Sequence, residues 1–270
     1  MKIADLSVNR IGYGAMRVID NPDIWGPPHD KANAHRVLRR AYQLGANFFD
    51  TAESYGPHYS ELTIAEAMHP YPQDLVIATK CGLVRPKPSR WDEDGRPEKL
   101  RHDLEGSLKR LKLERIDLYQ LHAPDPKVPF EDQVGALAGF QREGKVRHVG
   151  LSNVTVRQLE QARKIVPIVS VQNRYNIGDR HSEDVLQACE RLGIAFLPWY
   201  PLGDGAALRA AKVKALAKQL GATPAQVAIA WLLKKSPVML PIPGTGSIAH
   251  LEENMKAAAL QLSDADFRML

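Results

Sequence analysis

Asn47-Phe48-Phe49-Asp50-Thr51-Ala52-Glu53-Ser54-Tyr55-Gly56 begins as an apolar run and ends in polar turn residues. Such a change reads as a short buried strand that carries Asp50 and the residues after it onto a loop. A Phe-Phe strand needs no carboxylate for packing. Asp50 at the strand end, with Tyr55 beside Gly56, therefore has two readings: a turn-forming acid near a half-buried phenol, or part of a site. The rest of the chain decides between them.

Outward from this stretch, strand-like and helix-like segments alternate. Ile11 to Ala15, Asn47 to Asp50, Leu75 to Lys80, Ile116 to Leu121, Val146 to Leu151, Ile168 to Gln172, Ile194 to Trp199 and Val238 to Ile242 read as strands. Most are apolar on both faces, as parallel strands buried between helices must be. Helices are expected at 33–44, 60–68, 97–111, 130–142, 156–165, 183–192, 208–220, 224–234 and 247–258. No linker or low-complexity run divides them. Eight strand–helix units in about 250 residues predict a closed, parallel eight-stranded (β/α)8 TIM barrel, with residues 1–270 as one domain. A doubly wound sheet is the alternative. It calls for a third glycine after the first strand, and Gly12-Tyr13-Gly14-Ala15-Met16-Arg17 has two.

With 270 residues, 44% hydrophobic and 25% charged, the chain has material for a large core. No apolar run approaches the roughly 18 residues of a membrane span, and Met1-Lys2-Ile3-Ala4-Asp5 does not open a signal peptide. No membrane partner is expected. Cys81 and Cys189 are the two cysteines, too few for a disulfide framework or a cysteine zinc site. No metal is expected, and a reducing cytoplasm is the expected compartment. The net charge of +5 comes from scattered Lys and Arg. That pattern argues against nucleic acid and leaves room for a basic mouth that draws in a phosphorylated ligand.

A barrel of this kind places its chemistry at the C-terminal ends of the strands. Those ends deliver Asp50 and then Tyr55, Thr79-Lys80, Leu121-His122, Ser152-Asn153, Gln172-Asn173 and Trp199-Tyr200. Lys80 alone could be a solvated cap, and His122 alone a satisfied loop histidine. Together an acid, a phenol, an ammonium and an imidazole converge on one rim, as a functional site would. A free phenol titrates near ~10 and donates poorly at neutral pH. Lys80 is expected to lower that value, Asp50 to pair with Lys80, and His122 to hydrogen-bond a substrate oxygen beside Tyr55. The set suits protonation of an oxygen that gains negative charge, as in hydride reduction of a carbonyl. No side chain supplies a hydride, so a cofactor must.

Neutral Ser152, Asn153 and Gln172 suit a nicotinamide carboxamide, and Tyr200 could stack on its ring. Pro201-Leu202-Gly203 offers a tight loop for a pyrophosphate. Pro243-Gly244-Thr245-Gly246-Ser247 leads into a helix, whose N-terminus favours an anion; Ser247 also reads as its N-cap.

These motifs resemble the aldo-keto reductases over essentially the whole chain. The matching pieces are Phe49 to Gly56, Ala78-Thr79-Lys80, Asp117 to His122, Gly150 to Asn153, Val171 to Asn176 and Ile242-Pro243-Gly244. The pattern is most similar to the family's bacterial, pyridoxal reductase-like branch. The resemblance implies a TIM barrel, NADPH bound without a Rossmann domain, and a tetrad of Asp50, Tyr55, Lys80 and His122 with Tyr55 as general acid. It also implies a small carbonyl substrate and a monomer. Gly244-Thr245 replaces the family's frequent Lys-Ser. His250 stands where the family has an arginine on the 2′-phosphate, and Glu253 and Asn254 keep the adenine-binding pattern. A histidine holds a phosphate less firmly than an arginine, so NADPH is expected over NADH by a modest margin.

Many relatives carry a tail that closes over the substrate; this sequence ends at Phe267-Arg268-Met269-Leu270. Substrate walls are therefore expected from the loops 19–29, 84–96 and 123–129, with Trp25 or Trp91 lining the pocket. Two other functions compete: a barrel aldolase or isomerase using Lys80 as a Schiff-base amine, and an NADPH-binding redox sensor with negligible turnover.

Overall fold

The computed structural model describes residues 1–270 apart from the side chains of Asp204 and Ala207. A hairpin of β1 (Lys2–Ile3) and β2 (Leu6–Ser7) precedes the sheet strands β3 (Tyr13–Gly14), β4 (Phe48–Asp50) and β5 (Val76–Cys81). A small hairpin, β6 (Leu83–Val84) with β7 (Asp92–Glu93), follows β5. The sheet continues with β8 (Ile116–Leu121), β9 (Val146–Ser152), β10 (Ile168–Arg174) and β11 (Ala195–Trp199). Strands β3, β4, β5, β8, β9, β10 and β11 pair in parallel in that order. The helices are α1 (Lys31–Gln43), α2 (Tyr59–Met68), α3 (Pro97–Leu111), α4 (Phe130–Arg142), α5 (Val156–Ala162), α6 (Glu183–Leu192), α7 (Ala206–Arg209), α8 (Ala211–Gln219), α9 (Pro224–Lys235), α10 (Ile248–Lys256) and α11 (Asp264–Met269).

Residues 238–242 do not form the eighth strand that their apolar pattern predicts. They bridge the two sheet edges instead. Phe196 N donates to Val238 O and Leu240 N to Phe196 O, each at 2.9 Å, and Gly12 N donates to Pro241 O at 2.9 Å. Pro237, Pro241 and Pro243 lack the N–H groups that a continuous ladder needs. The (β/α)8 barrel thus closes through a few bonds. The helix expected at 208–220 is also two, α7 and α8, parted by an extended Ala210; no Pro or Gly marks that break.

Local chemistry explains most boundaries. Asp30 accepts from Asn33 N to open α1, whose Ala34, Val37, Leu38 and Ala41 form one buried stripe. Thr155, Thr223 and Ser263 form capping boxes for α5, α9 and α11. Pro97 and Pro224 sit in the first turns of α3 and α9.

Strand alternation then builds the site. Ile3, Leu6 and Val8 pack with Phe48, Val76, Ala78, Leu118, Ala195 and Leu197 to fill the barrel at the strands' N-terminal ends. Side chains two or more positions further along the same inward face are Asp50, Lys80, Gln120 and His122. The inward face is therefore apolar at one end of the barrel and polar at the other. Among the described residues, no helix is long and apolar enough to cross a membrane.

Candidate active site

Lys80 is fully buried inside the barrel and Asp50 is 2% exposed. Lys80 Nζ donates to Asp50 Oδ1 at 2.6 Å, to Thr51 O at 2.8 Å and to Tyr55 Oη at 3.3 Å. The second oxygen of Asp50 accepts from Gln172 Nε2 at 2.9 Å and Gln120 Nε2 at 3.2 Å. A buried charge is tolerable when its partners are this complete. Gly150 makes room for the arrangement: an added Cβ would lie 2.2 Å from Ser170 Oγ and 2.9 Å from Gln120 Cγ.

Burial opposes the charge on Lys80, but Asp50 and Tyr55 outweigh it and raise the pKa of the amine. The ammonium therefore keeps its proton and has no lone pair for Schiff-base chemistry, while its N–H groups serve three acceptors. Tyr55 departs from expectation. Burial raises the phenol's pKa more than Lys80 lowers it, and Asp50 adds to the rise. The cation does not make the resting phenol acidic; it stands ready beside a phenol that holds its proton.

His122 faces the Tyr55 ring edge-on at 5.7 Å between centroids. Burial, then the charge of Lys80, drives its pKa well below the ordinary value, so the imidazole is neutral. Ser54 Oγ lies 3.4 Å from its Nδ1. A hydroxyl donating there places the ring proton on Nε2.

These groups floor a cleft of about 860 Å³, a usual size for a small-molecule site. Asp50, Tyr55, His122, Ser152, Asn153, Gln172, Tyr200, Pro201, Leu202, Gly244 and Trp91 all line it. Asn153 and Tyr200 hold left-handed backbone, φ +57° and +53°, at the ends of β9 and β11. Such strain in a non-glycine residue persists where the surroundings enforce it. Asn153 Nδ2 donates to His122 O at 2.9 Å, and its Oδ1 accepts from Trp199 Nε1 at 2.9 Å. Ser152 Oγ donates to Gln172 O at 2.7 Å. Much of the neutral set is thus already knit together.

Gly203, Thr245, Ser247, His250, Glu253, Asn254 and Trp25 lie outside the cleft lining. Gly203 N donates to Tyr200 O at 2.9 Å, closing the turn after β11. Thr245 O accepts from Tyr13 Oη at 2.6 Å, and its Oγ1 accepts from Ser247 N at 3.0 Å. Ser247 caps α10 by accepting from His250 N. His250 is exposed, Glu253 half-buried and Asn254 buried. Trp25 is half-buried, its ring centroid 5.4 Å from Arg85 Cζ.

Gln120 and Ser54 were not singled out from the sequence. Alternation along β8 points to Gln120, two residues before His122; nothing local points to Ser54.

The Aldo/keto reductase family profile matches residues 10–270. An uncharacterized oxidoreductase of Schizosaccharomyces pombe is 49% identical over 271 aligned positions, covering 100% of this chain and 88% of the relative. The pyridoxine 4-dehydrogenase of Escherichia coli is 45% identical over 264, covering 96% and 92%. Among solved structures, the thermostable aldo-keto reductase Tm1743 with the inhibitor epalrestat superposes with a TM-score of 0.85 at 32% identity, covering 97% and 94%. An aldo-keto reductase from Klebsiella pneumoniae in complex with NADPH gives 0.81 at 25% identity, covering 97% and 89%.

Proposed function

The chain belongs to the aldo/keto reductase family, and we propose that it reduces aldehyde or ketone carbonyls with NADPH, and oxidises the corresponding alcohols, with Tyr55 as the proton donor. One observation carries this reading: Tyr55 Oη lies 3.3 Å from an ammonium that Asp50 holds at 2.6 Å, on the floor of an open cleft.

The cleft suits the cofactor. Gln172 spends its Nε2 on Asp50, and its Oε1 faces the cleft without a partner among the described residues. An acceptor there fits a carboxamide N–H. Tyr200, 37% exposed on the rim, presents a ring for stacking. Gly14 and Gly244 bring backbone to the cleft wall without side chains. Ser152, Asn153, Gln172 and Tyr200 would hold the nicotinamide end. Pro201, Leu202, Gly203, Gly244, Thr245 and Ser247 would hold the phosphates, and His250, Glu253 and Asn254 the adenosine end. Bound there, NADPH would supply the hydride.

The chain's own residues handle the proton and the charge. Tyr55 keeps its proton on Oη at rest. When negative charge builds on a carbonyl oxygen, that proton moves to it. Lys80 then stabilises the phenolate, and Asp50 keeps Lys80 oriented. Neutral His122 offers one N–H to the same oxygen. Trp91, 36% exposed and 6.2 Å from the Tyr55 ring, walls the substrate side.

The similarity to a pyridoxine 4-dehydrogenase makes pyridoxal and pyridoxine first substrates to try. The test is NADPH oxidation with pyridoxal, small aldehydes and aromatic ketones. Turnover with at least one carbonyl is expected; tight NADPH binding with none would contradict the reading. Dissociation constants of wild type and of His250→Ala for NADPH and NADH test His250. The variant should lose much of the preference for NADPH, and an unchanged ratio would remove His250 from the 2′-phosphate.

A further inference from the structure

We propose that Arg85 is a positioning residue that fastens three loops around the catalytic phenol and so fixes Trp91 as the wall that sorts substrates by shape. The substrate half of this inference rests on the carbonyl-reduction reading of the cleft; the loop half does not.

Arg85 follows β6 and is 8% exposed. Among the described residues it makes no ion pair with a carboxylate; its fork serves four main-chain carbonyls. Nη2 donates to Asp23 O at 2.7 Å, and Nη1 to Ile24 O at 3.2 Å and Ser54 O at 3.5 Å. Nε donates to Arg90 O at 3.1 Å. These acceptors belong to three different loops: the one after β3, the one that carries Tyr55, and the β6–β7 loop. A buried guanidinium has little reason to be here except to hold these carbonyls together.

Backbone strain supports the assignment. Asp23 and Ile24, two of the residues whose carbonyls Arg85 holds, have φ of +60° and +51°. Left-handed backbone is rare for a β-branched residue and persists only under constraint. Ser89, on the facing loop, has φ +59°, and its hydroxyl donates to the Asp23 carboxylate, a second tie between the same loops.

Arg85 also stacks on the aromatic wall. Its Cζ lies 3.7 Å from the Trp91 ring centroid. Trp91 in turn meets the Tyr55 ring edge-on, 6.2 Å away at 77°. The guanidinium plane sets the Trp91 ring, which borders the space beside the phenol. Lysine cannot replace it, having neither a planar face nor a fork that reaches several carbonyls.

The test compares wild type, R85M, R85K, W91A and the R85M/W91A double variant by backbone hydrogen exchange and by kinetics. In R85M and R85K, exchange should quicken by about tenfold or more in both 19–29 and 84–96, with the barrel strands unchanged. The ratio of kcat/KM between a flat aromatic aldehyde and a two-carbon aldehyde should fall about tenfold in R85M, mostly through KM. W91A should lose the same selectivity, and the double variant should lose no more than either single change. Exchange that quickens in 84–96 alone, rescue by R85K, or losses that multiply in the double variant would overturn the proposal. If wild type reduces no carbonyl, the reductase reading fails by itself, and the exchange data still decide whether Arg85 couples the loops.

Discussion

Strand β5 separates two buried charge systems, one on each face of the sheet. Inside the barrel, Lys80 meets a single carboxylate, Asp50, whose second oxygen is taken by two glutamine amides. Outside it, Thr79 Oγ1 donates to Glu61 Oε1 at 2.6 Å, and Glu61 also pairs with Arg110 at 2.6 Å. Lys99 meets Glu53 at 3.4 Å and pairs with Asp103. Three carboxylates there share two cations. The consequence differs. Lys80 keeps its proton, whereas burial and then the charge of Asp103 push Glu53 up to about 8. Balance between donors and acceptors, more than the presence of an ion pair, decides which buried group is charged.

Breaking the inner system should have the largest effect. Lys80→Met strands Asp50 in the barrel and should cost about 3–5 kcal/mol of stability by denaturant unfolding. It should also lower carbonyl reduction by at least about 100-fold. A wild-type unfolding midpoint would show that the pair contributes nothing.

The outer system predicts a pH dependence. In the native state Glu53 holds its proton up to about pH 8, whereas an unfolded carboxyl releases it near 4.5. The native state therefore binds more protons across that window, and this group's contribution falls as pH rises through it. Glu53→Gln removes the loss. The variant should be more stable than wild type by over about 1 kcal/mol at alkaline pH and nearly equal to it at acidic pH. A constant difference in melting temperature across pH would assign the proton elsewhere.

Smaller changes sharpen the contrast. Gln120→Leu takes one amide from Asp50, leaves Gln172, and should cost about 1–2 kcal/mol. Calorimetry showing no change would make the second amide redundant. On the surface, Lys31 and Glu66 lie 2.8 Å apart with side chains 58% and 42% exposed. Lys31→Ala should shift stability by less than about 0.5 kcal/mol; a larger shift would mean that burial is not what separates these pairs.

The same comparison shows what a sequence discloses. The inner set was legible because strand ends and alternation place Asp50, Lys80 and His122 on one face, and Tyr55 follows on the adjoining loop. Gln120 obeys the same alternation. The outer cluster was not legible: Glu53 and Asp103 meet only because α3 packs over the sheet. Burial's pull on the Tyr55 phenol was equally hidden, since a nearby lysine is visible in sequence and desolvation is not. Val238 to Ile242 reads as a strand from its apolar side chains, while Pro241 within it and Pro237 and Pro243 beside it prevent the ladder. The hairpins β1–β2 and β6–β7 have two residues per strand, too few to show any period. Helix α11 went unread although Ser263 and Asp266 supply its capping box.

The most direct measurement concerns one hydroxyl. Tyr55→Phe keeps the ring against Trp91 and His122 and deletes the oxygen beside Lys80. Single-turnover reduction of an aldehyde by NADPH should slow by about 100- to 10,000-fold, with the dissociation constant for NADPH essentially unchanged. Hydride transfer at the wild-type rate in that variant would contradict the assignment of Tyr55 as proton donor.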